Sequence, residues 1–252
     1  MARECAFCPE TANLTGEHIW SDWMAKFFPG KKVFRNRIAD FQRQRVIGER
    51  QWVSPKLDWK ANVVCATCNN TWMSRIEDTR AKPAMEALIT GSIDIPIDQS
   101  RANDIAIFAF KTSVILDHLV EERPRFFPRS IRHGFRTSLA IPGNVSMWFM
   151  GYLPRGGGGT LSSYFALSPP EQFELYVCNY RIGHFAFEVV ADKKPFFIHA
   201  SPSTDYQQLA VPFWPRIPDG FIWPPSKVLL TAKEFVKFAE RWGSLNLRRF
   251  TS

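Results

Sequence analysis

Cys65-Ala66-Thr67-Cys68-Asn69-Asn70-Thr71-Trp72 is the stretch whose reading decides the fold. Its C-x-x-C pair has a counterpart in Cys5-Ala6-Phe7-Cys8, near the start of the chain. Two such pairs supply four soft thiolates, the full set of a tetrahedral structural zinc. The remaining cysteine, Cys178, stands alone in a strand-like pattern and reads as a small buried apolar residue. This layout indicates a metal site in a reducing compartment rather than a secreted disulfide frame. The metal would join the first residues of the chain to the segment that follows Cys65. A structural zinc contributes on the order of 10 kcal/mol to a small module. That is enough to decide whether residues 1–90, with their modest core, fold at all.

Working outward, Asn13-Leu14-Thr15-Gly16 carries turn chemistry just before Glu17-His18-Ile19. Ser21 reads as the N-cap of a short helix over 22–28, stopped by Pro29-Gly30. A β-like ribbon over 31–53 follows, with Gly48 as a turn. Between Lys31 and Lys60 the chain has nine Lys or Arg against Asp40, Glu49 and Asp58, so nine minus three gives +6. Lys31, Lys32, Arg35, Arg37, Arg43, Arg45 and Arg50 are the candidates for phosphate contacts. A solvated hairpin face is the ordinary alternative for such a charge run. Asn62-Val63-Val64 reads as a strand leading into Cys65. Trp72, Met73 and Ile76 recur at helical spacing and predict a helix over 66–79, with Asn69 in its first turn. Lys82-Pro83 should end or interrupt it, with further turns over 84–89. A domain boundary is expected near Gly91. Trp20, Trp23, Trp52, Trp59 and Trp72 are dense here and should build the small core.

The second part, 91–252, is expected to be a mixed α+β domain serving substrate choice or self-association as a homo-oligomer. Asn103 or Asp104 should cap an all-round apolar, buried helix reaching about Glu122. Hairpins are expected over 145–167 and 173–190, and 196–199 reads as a short strand. The glycine run Gly156–Gly159 lacks a following Lys-Ser/Thr and a helix, so it reads as a hairpin tip rather than a phosphate loop. Thr231 should cap a last helix over 232–242. His118, His133, His184 and His199 are scattered without partners at ligand spacing.

The 252 residues carry a formal net charge of +8, and 45% are apolar. A real core is therefore available and global disorder is excluded. A pI near 9.4 favours a polyanionic partner, nucleic acid first. No apolar leader opens the sequence, and the longest apolar run, 105–120, is interrupted by Lys111, Asp117 and His118. The expectation is a soluble, cytoplasmic protein with no membrane role.

The combination Cys5-x-x-Cys8, Glu17-His18-Ile19, Asn62, Cys65-x-x-Cys68-Asn69 resembles the HNH, or His-Me finger (ββα-metal), endonucleases of the type with two zinc knuckles. The resemblance covers about residues 3–80. It implies an α+β chain whose N-terminal treble-clef, ββα-metal module holds a structural zinc through Cys5, Cys8, Cys65 and Cys68. It further implies His18 as general base, Asn69 and Glu17 as ligands of a catalytic Mg²⁺ or Mn²⁺, and Asn62 as a residue that fixes the His18 segment. Many members place His or Lys four residues after the position matching Asn69. Here that residue is Met73, a poor ligand for a hard cation, so Glu77 is the nearest carboxylate substitute.

The chemistry is coherent without the family. A neutral imidazole near pH 6.5 accepts the proton of an attacking water. A hard cation takes amide and carboxylate oxygens and polarises the phosphate. Neighbouring residues on a regular strand face opposite ways, so Glu17 and His18 serve one site only if the backbone turns at Gly16. Asn69 as a simple helix cap remains the alternative to a ligand. The resulting expectation is a divalent-metal-dependent endonuclease acting on DNA. Phosphate contacts alone do not separate DNA from RNA. A non-catalytic treble-clef module binding nucleic acid or protein is the alternative from another class.

Overall fold

The computed structural model describes residues 4–11, 13–28, 34–42, 45–54, 59–119, 125–153, 158–166, 174–193, 209–225 and 228–241. The strands within 34–54 and 158–166 are described by backbone alone. The first hairpin is built around the cysteines. β1 (Leu14–His18) is the strand that ends in the candidate base, and a 3₁₀ turn follows over Asp22–Phe27. β2 (Phe34–Gln42) and β3 (Arg45–Ser54) then form an antiparallel ribbon. β4 (Lys60–Cys65) returns antiparallel to β1, with Leu14 opposite Cys65 and His18 opposite Lys60. The register slips between Thr15 and Gly16, so a bulge sits where the sequence supplied a glycine.

β4 runs directly into α1, a continuous helical run over 66–90. Cys65 begins it by accepting the N–H of Cys68 on its own sulfur at 3.4 Å. Two π-helical turns, Asn69–Met73 and Glu77–Ala81, widen it. The expected break at Lys82-Pro83 does not occur. A proline ring collides with the carbonyl four residues back in a regular helix, and the wide turn just before Pro83 opens the ladder there. α1 ends at Gly91, in the left-handed region at φ 84.

β5 (Ile95–Pro96) leads to α2 (Gln99–Asp117). This helix starts earlier than expected because Asp98, not Asn103 or Asp104, caps it, accepting the N–H of Arg101 at 2.8 Å. It also stops earlier. The Asp117 carboxylate instead collects the N–H groups of Phe126 and Phe127 at 2.8 and 3.2 Å, which turns the chain toward α3 (Arg129–Ser138). β6 (Val145–Gly151), β7 (Gly158–Ala166), β8 (Glu174–Ile182), β9 (Phe185–Asp192) and β10 (Ala210–Trp214) form an antiparallel sheet in the order β10-β6-β9-β8-β7. β11 (Ile222–Trp223) pairs with β5. α4 (Ala232–Glu240) opens on a reciprocal capping box between Thr231 and Glu234. The expected strand at 196–199 lies outside the described residues, as do Arg155, Gly156 and Gly157 of the glycine run.

The sheet is apolar on both faces, and its two-residue period sorts the layers. Met147, Phe149, Tyr176, Cys178, Tyr180, Phe185 and Phe187 belong to the core shared with α1, α2 and the cysteine hairpin. Trp148, Met150, Tyr152, Val177, Ala186 and Val190 face the other way and pack with Phe235 and Phe238 of α4. The larger core runs without a break from Cys5 to Trp223, across the expected boundary at Gly91. The junction is tight. A Cβ on Gly183, at φ 57 in the β8–β9 turn, would stand 2.2 Å from the carbonyl oxygen of Ile89, and the N–H of His184 donates to that same oxygen at 3.1 Å. No helix among the described residues is long and apolar enough to cross a membrane.

Candidate metal centre and adjoining site

The four sulfurs of Cys5, Cys8, Cys65 and Cys68 all lie within 4.8 Å of one another, and every one of these residues is buried. Cys8 Sγ lies 3.5 Å from Cys65 Sγ, far longer than a disulfide bond, and all four are free thiols. Zinc–sulfur bonds of about 2.3 Å at tetrahedral angles put sulfurs about 3.8 Å apart. The donor set therefore fits a metal ion such as zinc. Backbone N–H groups also aim at the sulfurs. Phe7 N and Cys65 N donate to Cys5 Sγ at 3.5 and 3.2 Å, and Cys68 N donates to Cys65 Sγ. For Cys65, burial pushes the thiol pKa up, but the Cys68 N–H and the neighbouring thiols outweigh it and hold the group below its ordinary value. Burial raises Cys8 and Cys68, which favours the neutral thiol until a cation compensates. The two knuckles are also joined by Ala6 N, which donates to the carbonyl of Val63 at 2.7 Å.

His18 closes β1. Its Nε2 atom is buried and lies 3.0 Å from Asp22 Oδ1, a carboxylate that is 80% exposed. Asp22 was legible only as the first residue of a helix. Its nearness to the imidazole comes from the 3₁₀ turn, which folds it back four residues after His18. Asn69 reaches across to the same strand. Its Nδ2 donates to Thr15 Oγ1 at 3.1 Å and to the carbonyl of Gly16 at 3.4 Å. A carbonyl only accepts, so the amide nitrogen must face β1, and Oδ1 of Asn69 is left for another partner. Asn69 is itself helical, at φ −60 and ψ −51, and Cys65 is the residue that caps the run.

Glu17, expected beside a catalytic cation, turns inward instead. It is 3% exposed, and its Oε1 lies 2.6 Å from Lys111 Nζ on α2. Glu77 Oε1 lies 2.5 Å from the same ammonium, so the substitute carboxylate is also engaged. The reason is strand alternation: with His18 toward the surface, Glu17 faces the core. Burial alone would lower the pKa of Lys111, but the two carboxylates more than compensate and raise it, so the ammonium stays charged. The sequence signal for this pairing was a cation, Lys111, in the middle of the apolar run 105–116, which demands a buried partner. Asn62 is exposed on β4, opposite Gly16. A Cβ on Gly16 would stand 3.2 Å from Asn62 Oδ1, so the glycine makes room for it. Met73 is buried in the core, consistent with its poor ligand chemistry.

The basic ribbon is present as backbone. Arg35 and Arg37 occupy alternate positions on β2, opposite Val53 and Gln51, whereas Arg50 pairs opposite Ile38 and Arg45 opposite Gln42. Lys31, Lys32 and Arg43 lie outside the described residues. Cys178 is fully buried, and burial pushes its thiol up to about 12, the behaviour of an inert core residue.

A cavity of about 250 Å³ opens beside the knuckles, lined by Glu4, Asn62, Val63, His118, Arg125 and Arg132. Nδ1 of His118 donates to the carbonyl of Val114 at 2.8 Å, so the neutral ring carries its proton there. Burial pushes its pKa down to about 4, Arg132 and Arg125 push the same way, and the Val114 carbonyl and Asp117 oppose them. The unfolded value is about 6.5. Between these values the unfolded chain binds more protons, so the stability this neutral ring contributes is complete above about pH 6.5 and is lost as pH falls toward 4. The loss is expected to reach about 3 kcal/mol. Melting curves from pH 7 to 4 should fall more steeply for the wild type than for His118→Gln; parallel curves would remove the assignment.

No family model, no curated protein and no solved structure matches the chain.

Proposed function

We propose that this chain is a divalent-metal-dependent HNH-type endonuclease that hydrolyses phosphodiester bonds in DNA. The observation that carries the proposal is the tie from Asn69 to β1. Its amide nitrogen binds Thr15 and Gly16, within three residues of His18, and its carbonyl oxygen remains to meet a hard cation. The β1–β4–α1 unit that holds these groups is pinned at its root by the four cysteines. His18 accepts the proton of the attacking water, and Asp22, 3.0 Å from Nε2, orients the ring. A cation held by Asn69 Oδ1, with water completing its sphere, would stabilise charge on the phosphate and the departing oxygen. Glu17 serves as an anchor: its ion pair with Lys111 fixes the strand that presents His18. Cations of the 31–50 ribbon supply affinity for the phosphate backbone.

One observation favours a second reading, a non-catalytic zinc module that binds nucleic acid. The carboxylate that the resemblance assigns to the metal is neutralised in the core by Lys111. Plasmid nicking with added Mg²⁺ or Mn²⁺ separates the two. The nuclease reading expects metal-dependent nicking that falls by about 10² to 10⁴ in His18→Ala while zinc content is kept. Undiminished cleavage by that variant would exclude His18 as the base, and no nicking by the wild type with either ion would favour the binding module.

A further inference from the structure

We propose that Arg181, held between Tyr152 and Phe235 on the α4 face of the sheet, is the centre of a second anion site that takes the phosphate group of a phosphorylated ligand. The inference goes beyond the nuclease reading and gives the chain after Gly91 a binding role of its own. Arg181 stands on β8 and shares a layer with Val177, Ala186 and Val190. Its guanidinium carbon lies 4.7 Å from the centre of the Tyr152 ring and 5.6 Å from that of Phe235. Both rings are buried, so this clamp is part of the packed layer under α4. Tyr152 is itself fixed, because its N–H donates to the carbonyl of His184 at 2.8 Å.

The clamp holds a cation but does not satisfy it. Ring faces attract a guanidinium, yet its five N–H donors are left for another acceptor. Among the described residues no carboxylate forms an ion pair with Arg181 and no carbonyl accepts a hydrogen bond from it. Burial pushes its pKa down, and the group that opposes this is Tyr152, not a carboxylate. A half-buried cation without a counterion is costly, and a bound oxyanion would remove that cost. The same layer contains an arginine that is matched. Arg241 lies over the Phe238 ring at 3.6 Å, and it also grips both oxygens of buried Glu188 at 2.5 and 2.7 Å. Glu188 stands opposite Asn179, two residues before Arg181 on β8, so the acidic residue nearest in register is held by Arg241.

The glycine run gives this place an open side. Gly158 and Gly159 belong to β7 and stand opposite Ile182 and Arg181. A side chain at position 159 would share a face with Arg181 and cover its stem; glycine leaves that side bare, as strands do where a ligand approaches closely. The planar fork of a guanidinium meets two oxygens of one phosphate at once. A phosphate, carrying more charge than a carboxylate, also offsets more of the burial cost.

The test is thermal melting of the full chain in 10 mM inorganic phosphate against chloride of equal ionic strength. The wild type is expected to melt roughly 3–5 °C higher in phosphate, the rise that a site half-filled at about 1 mM gives at tenfold excess. Arg181→Met is expected to lose most of that rise. No rise in the wild type, or an equal rise in Arg181→Met, would overturn the site. If Arg181→Met does not fold, Arg181→Lys carries the test: it keeps the charge and the stem without the fork, and is expected to lose about half of the rise. An undiminished rise in Arg181→Lys, or failure of both variants to fold, assigns Arg181 to packing and overturns the site. Repeating the melts with AMP and with a ten-nucleotide DNA strand identifies the source of the phosphate. A larger Arg181-dependent rise with AMP marks a free nucleotide, and a larger one with the strand marks a nucleic-acid backbone. The site uses neither His18 nor the cysteines, so it stands or falls separately from plasmid nicking.

Discussion

Cys68→Ser is expected to yield no folded protein at 25 °C, and removal of the metal by a strong chelator is expected to unfold the wild type. The four sulfurs sit in the continuous core, not on an appended finger. Phe7, between the first two ligands, packs edge-on against Trp72 and tilted against Phe135, so loosening the knuckle opens the contact with α3. Trp20 packs tilted against Trp59 and Tyr180, linking the hairpin to the sheet. A structural zinc is worth on the order of 10 kcal/mol, comparable to the whole stability of a typical domain, about 5–15 kcal/mol. Atomic absorption should give one zinc per chain, and chelation should red-shift tryptophan emission and abolish cooperative melting. A cooperative transition at an unchanged temperature after verified metal loss would show that the core holds without it.

Lys111→Met is expected to destabilise the chain by about 3–5 kcal/mol, the cost of stranding buried charge when one partner of a buried pair is removed. For a chain of this size that corresponds to a drop of roughly 10 °C in melting temperature. The side chain is fully buried, Glu17 is 3% exposed, and both Glu17 and Glu77 depend on the one ammonium. Adding Glu17→Gln and Glu77→Gln to Lys111→Met removes the stranded charges and should recover most of the loss. If Lys111→Met melts like the wild type, or the triple variant melts no better than the single one, the loss does not come from uncompensated charge. In the nuclease reading, Lys111→Met should also lower nicking at temperatures where it remains folded, because β1 loses the anchor one residue from His18.

Much of the organisation was legible locally. The paired Cys spacing predicted one shared site, and the four sulfurs do converge into a group that could hold a metal ion. Strands were legible within 145–153, 160–167, 173–180 and 184–190, and Thr231 marked the last helix, but the expected 145–167 hairpin does not form: β6 pairs with β9 and β10, and β7 with β8. Helix limits were misjudged where one local signal competed with another. Asp98 out-competed Asn103 as a cap, and a π turn let Pro83 pass. Pro83 could not be judged from its neighbours, because the widening that accommodates it is a property of the preceding turn.

By itself the sequence determined which four cysteines meet and which helix carries Asn69, because both rest on spacing along the chain. Only the tertiary structure decided where the charges go. Glu17 met Lys111, 94 residues away, Asn69 turned its nitrogen to β1, and a four-residue turn brought Asp22 to His18. It also decided that α3 lies against the first knuckle, with Arg132 bonded to the carbonyl of Ala6. Periodicity assigns a side chain to a face, but the partner on that face is chosen by packing between distant segments, where an unmatched buried charge costs more than any local preference can offset.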